Sequence, residues 1–158
     1  MEGIKKAAVF CILQSEHQFL LLERNKEPNQ GKMVPVGGKI DPYETPLQAV
    51  IRETKEETGI NIEDPIFCGI LTETSPSKYN WISFIYKANI KYIPAPFCDE
   101  GTLHWIDIHD LHTLDTPPTD MIIYEYVASG QKFILDAIFD NDMNMVSMYE
   151  ELKGLQIK

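Results

Sequence analysis

In the stretch GGKIDPYETPLQAVIRETKEETGI, residues Gly37 to Ile60, the acids Glu53, Glu56 and Glu57 fall within five positions. Like charges that close repel one another, so either water solvates them or a cation sits among them. For an isolated Glu-x-x-Glu-Glu the ordinary reading is a solvated acidic face. Two considerations favour the cation. Past the midpoint of a helix, Glu56 and Glu57 lie near the negative end of its dipole and disfavour it. A hard divalent ion, Mg²⁺ or Mn²⁺, takes oxygen ligands and is satisfied by a few carboxylates plus waters and substrate phosphates.

These acids need a helix to hold them, and its signals are complete. Thr45 can cap the N-terminus, Pro46 suits the first helical position, and Gln48 stands where a capping box needs it. Gly59 can end the helix in a left-handed conformation. At about 100° per residue, Leu47, Val50, Ile51, Thr54 and Thr58 share one arc, which should pack on a sheet. Arg52, Glu53, Glu56 and Glu57 fall on another arc, with Ala49 among them. Just before the helix, Gly37 and Gly38 let the backbone approach closely.

The spacing is more specific than the cluster. Gly38, five residues, Glu44, seven residues, Arg52-Glu53, two residues, Glu56-Glu57, one residue, Gly59 and then Ile60 resembles the Nudix box, G-x5-E-x7-R-E-U-x-E-E-x-G-U, with U a bulky aliphatic residue. All seven fixed positions match. Chance agreement in a chain of this length is on the order of one in a million at ordinary residue frequencies. Thr54 departs from the pattern at an aliphatic position, on the packing face and away from the acids.

The resemblance implies a hydrolase of nucleoside diphosphates linked to some group X, working with Mg²⁺ or Mn²⁺. It implies that Glu53, Glu56 and Glu57 ligate metal, with the Gly37 carbonyl as an added ligand, and that Arg52 orients one of the glutamates. It places Glu44 and Gly59 in structural support, and Gly38 and Lys39 beside the phosphates, although Lys39 reads equally as a solvated loop lysine. Cations between carboxylates and phosphates relieve their repulsion, clamp the substrate and lower the pKa of bound water. For the general base there are two candidates, Glu53 and Glu100. Glu100 lies in EGTLHW, similar to the E-G-x-L-x-W that often follows the loop opposite the box in this family; its alternative is an exposed loop acid.

The sequence carries less about the substrate. MVPVGGK is similar to the x-x-G-G-K arrangement of the MutT-type branch, which acts on oxidised purine nucleoside triphosphates. TPPTD, Thr116 to Asp120, stands where that branch reads the base edge, so the resemblance makes Asp120 a base-reading candidate. An ionised carboxylate accepts from N–H groups, as an oxidised guanine edge offers; an acid in a helix's first turn is the alternative. Phe97 and Tyr79 are candidate stacking residues that nothing local separates from core aromatics. Trp105 reads as core, and His104, His109 and His112 as surface or turn residues. The leading expectation is a Mg²⁺-dependent pyrophosphohydrolase of nucleoside triphosphates, 8-oxo-dGTP among the candidates. The alternatives are the same chemistry on ADP-ribose or another nucleoside diphosphate-X, and a non-catalytic ligand sensor.

The whole chain fits this setting. Its 158 residues suit one domain spanning 1–158, and 44% hydrophobic with 24% charged residues suits a folded chain. A net charge of −10 opposes binding to a nucleic-acid polymer but admits a metal-mediated nucleotide. No apolar run is long enough to span a bilayer. Lys5-Lys6 before AAVFCIL loosely mimics a signal peptide, but the apolar stretch is short and lacks a small-residue cleavage site, so it reads as a first strand. Cys11, Cys68 and Cys98 are odd in number and lack CxxC spacing, so core packing in a reduced cytoplasm is expected. Monomer or homodimer stays open.

Ala7–Gln14 and Phe19–Arg24 suggest a hairpin, Asn25–Lys39 a loop, and Pro65–Thr74, Tyr79–Ile90 and Leu103–Ile108 further strands. Pro117–Gly130 suggests a second helix, with Thr116 as cap and Gly130 as stop. Lys132–Asp140 and Met145–Leu152 suggest a terminal hairpin through Asn141–Asn144. The expected fold is α+β: a Nudix-type α/β/α sandwich with a mixed central sheet, plus the C-terminal β-hairpin.

Overall fold

The computed structural model describes residues 2–158. Two strands begin it, β1 (Lys6–Ser15) and β2 (Gln18–Arg24), paired antiparallel at Leu13 to Ser15 against Leu20 to Gln18. Their side chains alternate with period two. Val9, Cys11, Leu13, Leu20 and Leu22 enter one buried cluster, whereas Ile12, Phe19 and Leu21 enter another on the opposite face. Helix α1 (Pro46–Thr58) supplies Ala49 and Val50 to the first cluster. Helix α2 (Pro118–Ser129) supplies Ile123, Tyr124 and Val127 to the second. The sheet thus lies between two helices, as the sandwich expectation requires.

The first strands also differ from expectation in a useful way. Beyond their short hairpin contact, β1 and β2 diverge. The stretch expected to be loop fills the fork with two short strands, β3 (Met33–Val34) on β2 and β4 (Val36–Lys39) on β1. Their Gly and Pro content hid this, because such strands are defined by the open edges they satisfy and not by their own propensity. On the far edge of β1, β6 (Trp81–Asn89) runs parallel, followed antiparallel by β5 (Ile66–Thr74). On the far edge of β2 lies β8 (Gly101–Asp107), then β7 (Phe97–Cys98).

The C-terminal hairpin is β9 (Phe133–Phe139) and β10 (Met145–Glu150), to which β11 (Leu155–Gln156) adds. It continues the central sheet, with β9 parallel to β5. Leu103–Ile108 gives up its last residue to a 3-10 turn, Ile108–Thr113, which carries His109 and His112. Thr116 does not cap α2. Pro117 occupies the cap position, and the Thr116 hydroxyl donates to the Met33 carbonyl at 2.5 Å, tying the helix entry to β3. Gly130 ends that helix at φ +71°, as expected. All three cysteines are free and buried, and burial pushes the Cys11 thiol up to about 12. Among the described residues, no helix is long and apolar enough to cross a membrane.

Candidate active site

Helix α1 is closed at both ends as its sequence dictates. The Thr45 hydroxyl accepts from the Gln48 N–H at 3.2 Å, and the Gln48 side chain returns the bond to the Thr45 N–H at 2.9 Å. Gly59 stops the helix at φ +74°. The face it buries is rotated from the one expected. Leu47 and Ile51 stay exposed, whereas Ala49 is completely buried beside Val50, Thr54 and Thr58. The small Ala49 lets the helix seat closely on the sheet, and this turns the arc of acids inward, over the glycines of β4.

That seat makes Gly38 obligatory, and the pairing with β1 does the same for Gly37. A Cβ on Gly38 would stand 2.5 Å from the Glu53 carboxylate, and one on Gly37 would stand 2.1 Å from the Val9 carbonyl oxygen. The Gly37 N–H donates to Glu57 Oε2 at 3.1 Å, so it is this N–H that meets the acid. Arg52 organises the remaining carboxylates. Its Nε and Nη2 donate to the two oxygens of Glu44 at 2.8 and 2.9 Å. Its Nη1 donates to Glu53 Oε1 at 2.8 Å and to Glu56 Oε2 at 3.2 Å. Nη2 also reaches the Lys39 carbonyl at 3.1 Å, and Asp41 lies 3.5 Å away. Glu44 meanwhile accepts from the Asp41 N–H at 3.0 Å, bracing the loop before the helix.

The electrostatics of these acids divide by their surroundings. The paired Arg52 donors hold Glu44 down to about 2. Burial pushes Glu57 up to about 7 and raises Glu53 as well, against the help of their hydrogen bonds. Arg52 is one positive charge against Glu44, Glu53 and Glu56, so the cluster keeps a negative excess that suits a cation. Among the described residues, no three His, Cys, Asp or Glu side chains converge closely enough to hold a metal as they stand. Even so, Glu53, Glu56 and Glu57 each commit one oxygen to Arg52 or Gly37 and keep the other free. This donor set of hard oxygens fits Mg²⁺ or Mn²⁺.

From Glu57 and Gly37 a cleft of about 540 Å³ runs to the first turn of α2. At its far end Asp120 is buried on the cleft wall, where desolvation and the charge of neighbouring Glu73 push it up to about 8. Tyr79, a stacking candidate, lines the cleft, whereas Phe97 does not and is largely exposed. Glu100 sits at the β7–β8 turn, near enough to Glu57 for their charges to interact. Its carboxylate is held by Lys26 at 3.1 Å and Arg24 at 3.9 Å. Lys39 offers its backbone carbonyl to Arg52, and its side chain is exposed. Trp105 packs on the α1-side cluster and donates to the Ile93 carbonyl at 2.7 Å. His104 and His109 bond carboxylates at the surface, Glu23 and Asp107, each at 2.9 Å.

Glu73 and Arg24 line the same cleft and were not among the candidates read from the sequence. Glu73 did carry a signal. Alternation from Leu71 puts it on the core face of β5, where a lone acid is out of place.

Comparison with known proteins gives an independent view. The sequence profile of the NUDIX domain matches residues 4–127. An uncharacterised Nudix hydrolase of Bacillus subtilis, YvcI, is 33% identical over 127 residues, covering 77% of this chain and 78% of its own. An 8-oxo-dGTP diphosphatase of Haemophilus influenzae is 33% identical over 100 residues, covering 62% of this chain and 72% of its own. The crystal structure of a mutator MutT protein from Bacillus halodurans superposes with a TM-score of 0.81 at 26% identity. That alignment covers 93% of this chain and 98% of the other.

Proposed function

The chain belongs to the NUDIX domain family, a hydrolase family, and we propose that it is a Mg²⁺-dependent pyrophosphohydrolase of nucleoside triphosphates. In this reading it releases the monophosphate and pyrophosphate. One observation carries it: a single cleft joins Glu57, on the acidic face of α1, to a buried acid at the start of α2. Its volume lies in the range of small-molecule sites. The diphosphate would lie toward Glu53, Glu56 and Glu57, and the base toward Asp120.

Glu53, Glu56 and Glu57 would hold a divalent cation, which when bound would supply charge neutralisation at the phosphates and a lowered pKa for bound water. The chain's own groups do the rest. Arg52 fixes Glu53 and Glu56 by charge-assisted bonds, so their free oxygens keep one orientation. Glu44 and Asp41 hold Arg52 in turn. For the proton of the attacking water, Glu53 is the better placed acceptor. It stands over Gly38, whereas Glu100 is engaged by two cations; with one oxygen on Arg52, its remaining oxygen serves either the cation or the proton. The similarity to the 8-oxo-dGTP diphosphatase supports an oxidised guanine nucleotide as substrate.

The test is a panel of (d)NTPs, 8-oxo-dGTP, ADP-ribose and dinucleotides with Mg²⁺, separating pyrophosphate from phosphate and identifying products by chromatography. Pyrophosphate from triphosphates supports the reading. An intact triphosphate panel refutes it, and cleavage of ADP-ribose alone moves the substrate to the nucleoside diphosphate-X class.

A further inference from the structure

Two carboxyls, and not one, stand at the deep end of the cleft. Glu73 projects from β5 and Asp120 from the first turn of α2, each 6% exposed and each lining the cavity. Their supports differ. The Tyr79 hydroxyl sits 3.2 Å from both Glu73 oxygens and donates to that carboxylate. Lys5, whose ammonium binds the Glu73 carbonyl at 2.9 Å, adds a positive charge on the same side. Asp120 has the Thr119 hydroxyl as its favourable neighbour and the phenol of Tyr124 behind it. The other acid nearby, Asp136, is occupied by the Thr72 hydroxyl at 2.8 Å. Thr72 precedes Glu73 on the strand and so points to the opposite face.

We propose that Glu73, held by Tyr79, is a specificity-determining residue that reads the substrate base together with Asp120, selecting a guanine-type edge. This rests on the reading of the cleft as a nucleotide site. On the wall of the same cleft, the charge of Glu73 opposes ionisation of Asp120, so near neutrality the pair holds about one proton. The Tyr79 donor and Lys5 bias the charge onto Glu73 and leave the proton on Asp120. Burial pushes Glu73 up to about 7, and burial together with the charge of Glu73 pushes Asp120 up to about 8. One carboxylate accepts two hydrogen bonds and one carboxylic acid donates one. Guanine offers the complement: N1–H and an N2 amino group as donors, with O6 as acceptor. Cytosine and adenine each present one amino donor beside ring acceptors, and uracil a single ring N–H. Oxidation at C8 leaves this edge unchanged, so guanine and its 8-oxo form are read alike here.

The probes are GMP, 8-oxo-GMP, AMP, CMP and UMP, titrated calorimetrically into the intact chain with EDTA present, so that binding is read apart from hydrolysis. The expected result is GMP and 8-oxo-GMP bound at least tenfold more tightly than CMP. Glu73→Gln, isosteric but uncharged, is expected to erase that ratio. Tyr79→Phe, which leaves the carboxyl but removes its support, is expected to reduce it three- to fivefold. Thermal melts of both variants establish that they fold. The wild-type ratio should also fall above about pH 8, where the second carboxyl ionises and O6 loses its donor. No preference for GMP in the wild type, or a preference that survives in Glu73→Gln, overturns the proposal. An inert triphosphate panel would refute the hydrolytic reading alone, because these titrations do not depend on turnover.

Discussion

Arg52 binds more groups than any other side chain of the site, and what it binds decides what the site can do. It touches three glutamates and a backbone carbonyl. A lysine there is a point charge that cannot span Glu44 bidentately while reaching the rest. Arg52→Lys should therefore lower kcat by roughly 10- to 100-fold, the range for misplaced positioning groups, as read by steady-state pyrophosphate release. The linked pH effect has a definite sign. Glu44 is depressed in the folded chain, so its contribution is present above the unfolded carboxylate value. It is lost only as pH falls toward about 2. Arg52→Lys should thus lose its stability difference from wild type only in strong acid. Glu57 behaves differently, because it is a buried charge held by a single N–H. Glu57→Gln should leave Tm unchanged or higher while cutting turnover by at least about 100-fold, the scale of an electrostatic catalytic group. Turnover equal to wild type would remove Glu57 from the catalytic set. These residues were legible because their spacing is local, within one helix turn and its preceding loop. Glu73 was not, because only the fold brings it to Asp120; a lone acid in the core-facing phase of β5 was the available hint.

The seat of α1 on β4 is the element on which the geometry turns. The capping box and the glycine stop were plain in the sequence, since capping depends on neighbours three residues apart. The buried face was not. A helical wheel weights Leu47 and Ile51 by hydrophobicity, but close approach to glycine backbone is won by the small Ala49, and the larger side chains stay at the rim. Gly38→Ala tests this seat directly. The added methyl meets the Glu53 carboxylate, which must swing away. The expected outcome is a loss of about 100-fold in kcat with a cooperative melt retained. Thr54 gives the opposite kind of test. It is fully buried, and among the described residues its hydroxyl meets only the Cys11 thiol, a weak partner. Thr54→Val removes that poorly satisfied group and restores the aliphatic residue of the box. It should stabilise the chain by about 1 kcal/mol, measured by urea denaturation, with unchanged kcat because the side chain points away from the acids.

Across the whole molecule the sandwich was legible from alternating strands and two helices each stopped by a glycine, whereas the fork between β1 and β2 was not. The fork is a property of diverging edges, and the strands that fill it, β3 and β4, are two and four residues long. It borders the cleft between Glu57 of α1 and the pair formed by Glu73 of β5 and Asp120 of α2, and that opening has a thermodynamic consequence. Glu73 and Asp120 are buried, and Lys5 offsets only part of that cost for Glu73, so folding favours their protonated forms and raises both above their ordinary values. The folded state then binds more protons than the unfolded state across the interval from about pH 4.5 to about pH 8. Stability is highest below the unfolded carboxylate values and is lost progressively as pH rises through the folded ones. The loss grows by about 1.4 kcal/mol for each pKa unit by which folding raises a group. Thermal melts in EDTA should accordingly show Tm declining from pH 5 toward pH 8. Asp120→Asn, which cannot ionise, should flatten that decline. A Tm rising steadily over the same range, or an Asp120→Asn slope equal to wild type, would mean that the two carboxyls are hydrated and charged together, and that the deep end of the cleft is not the dry pocket from which base selection would arise.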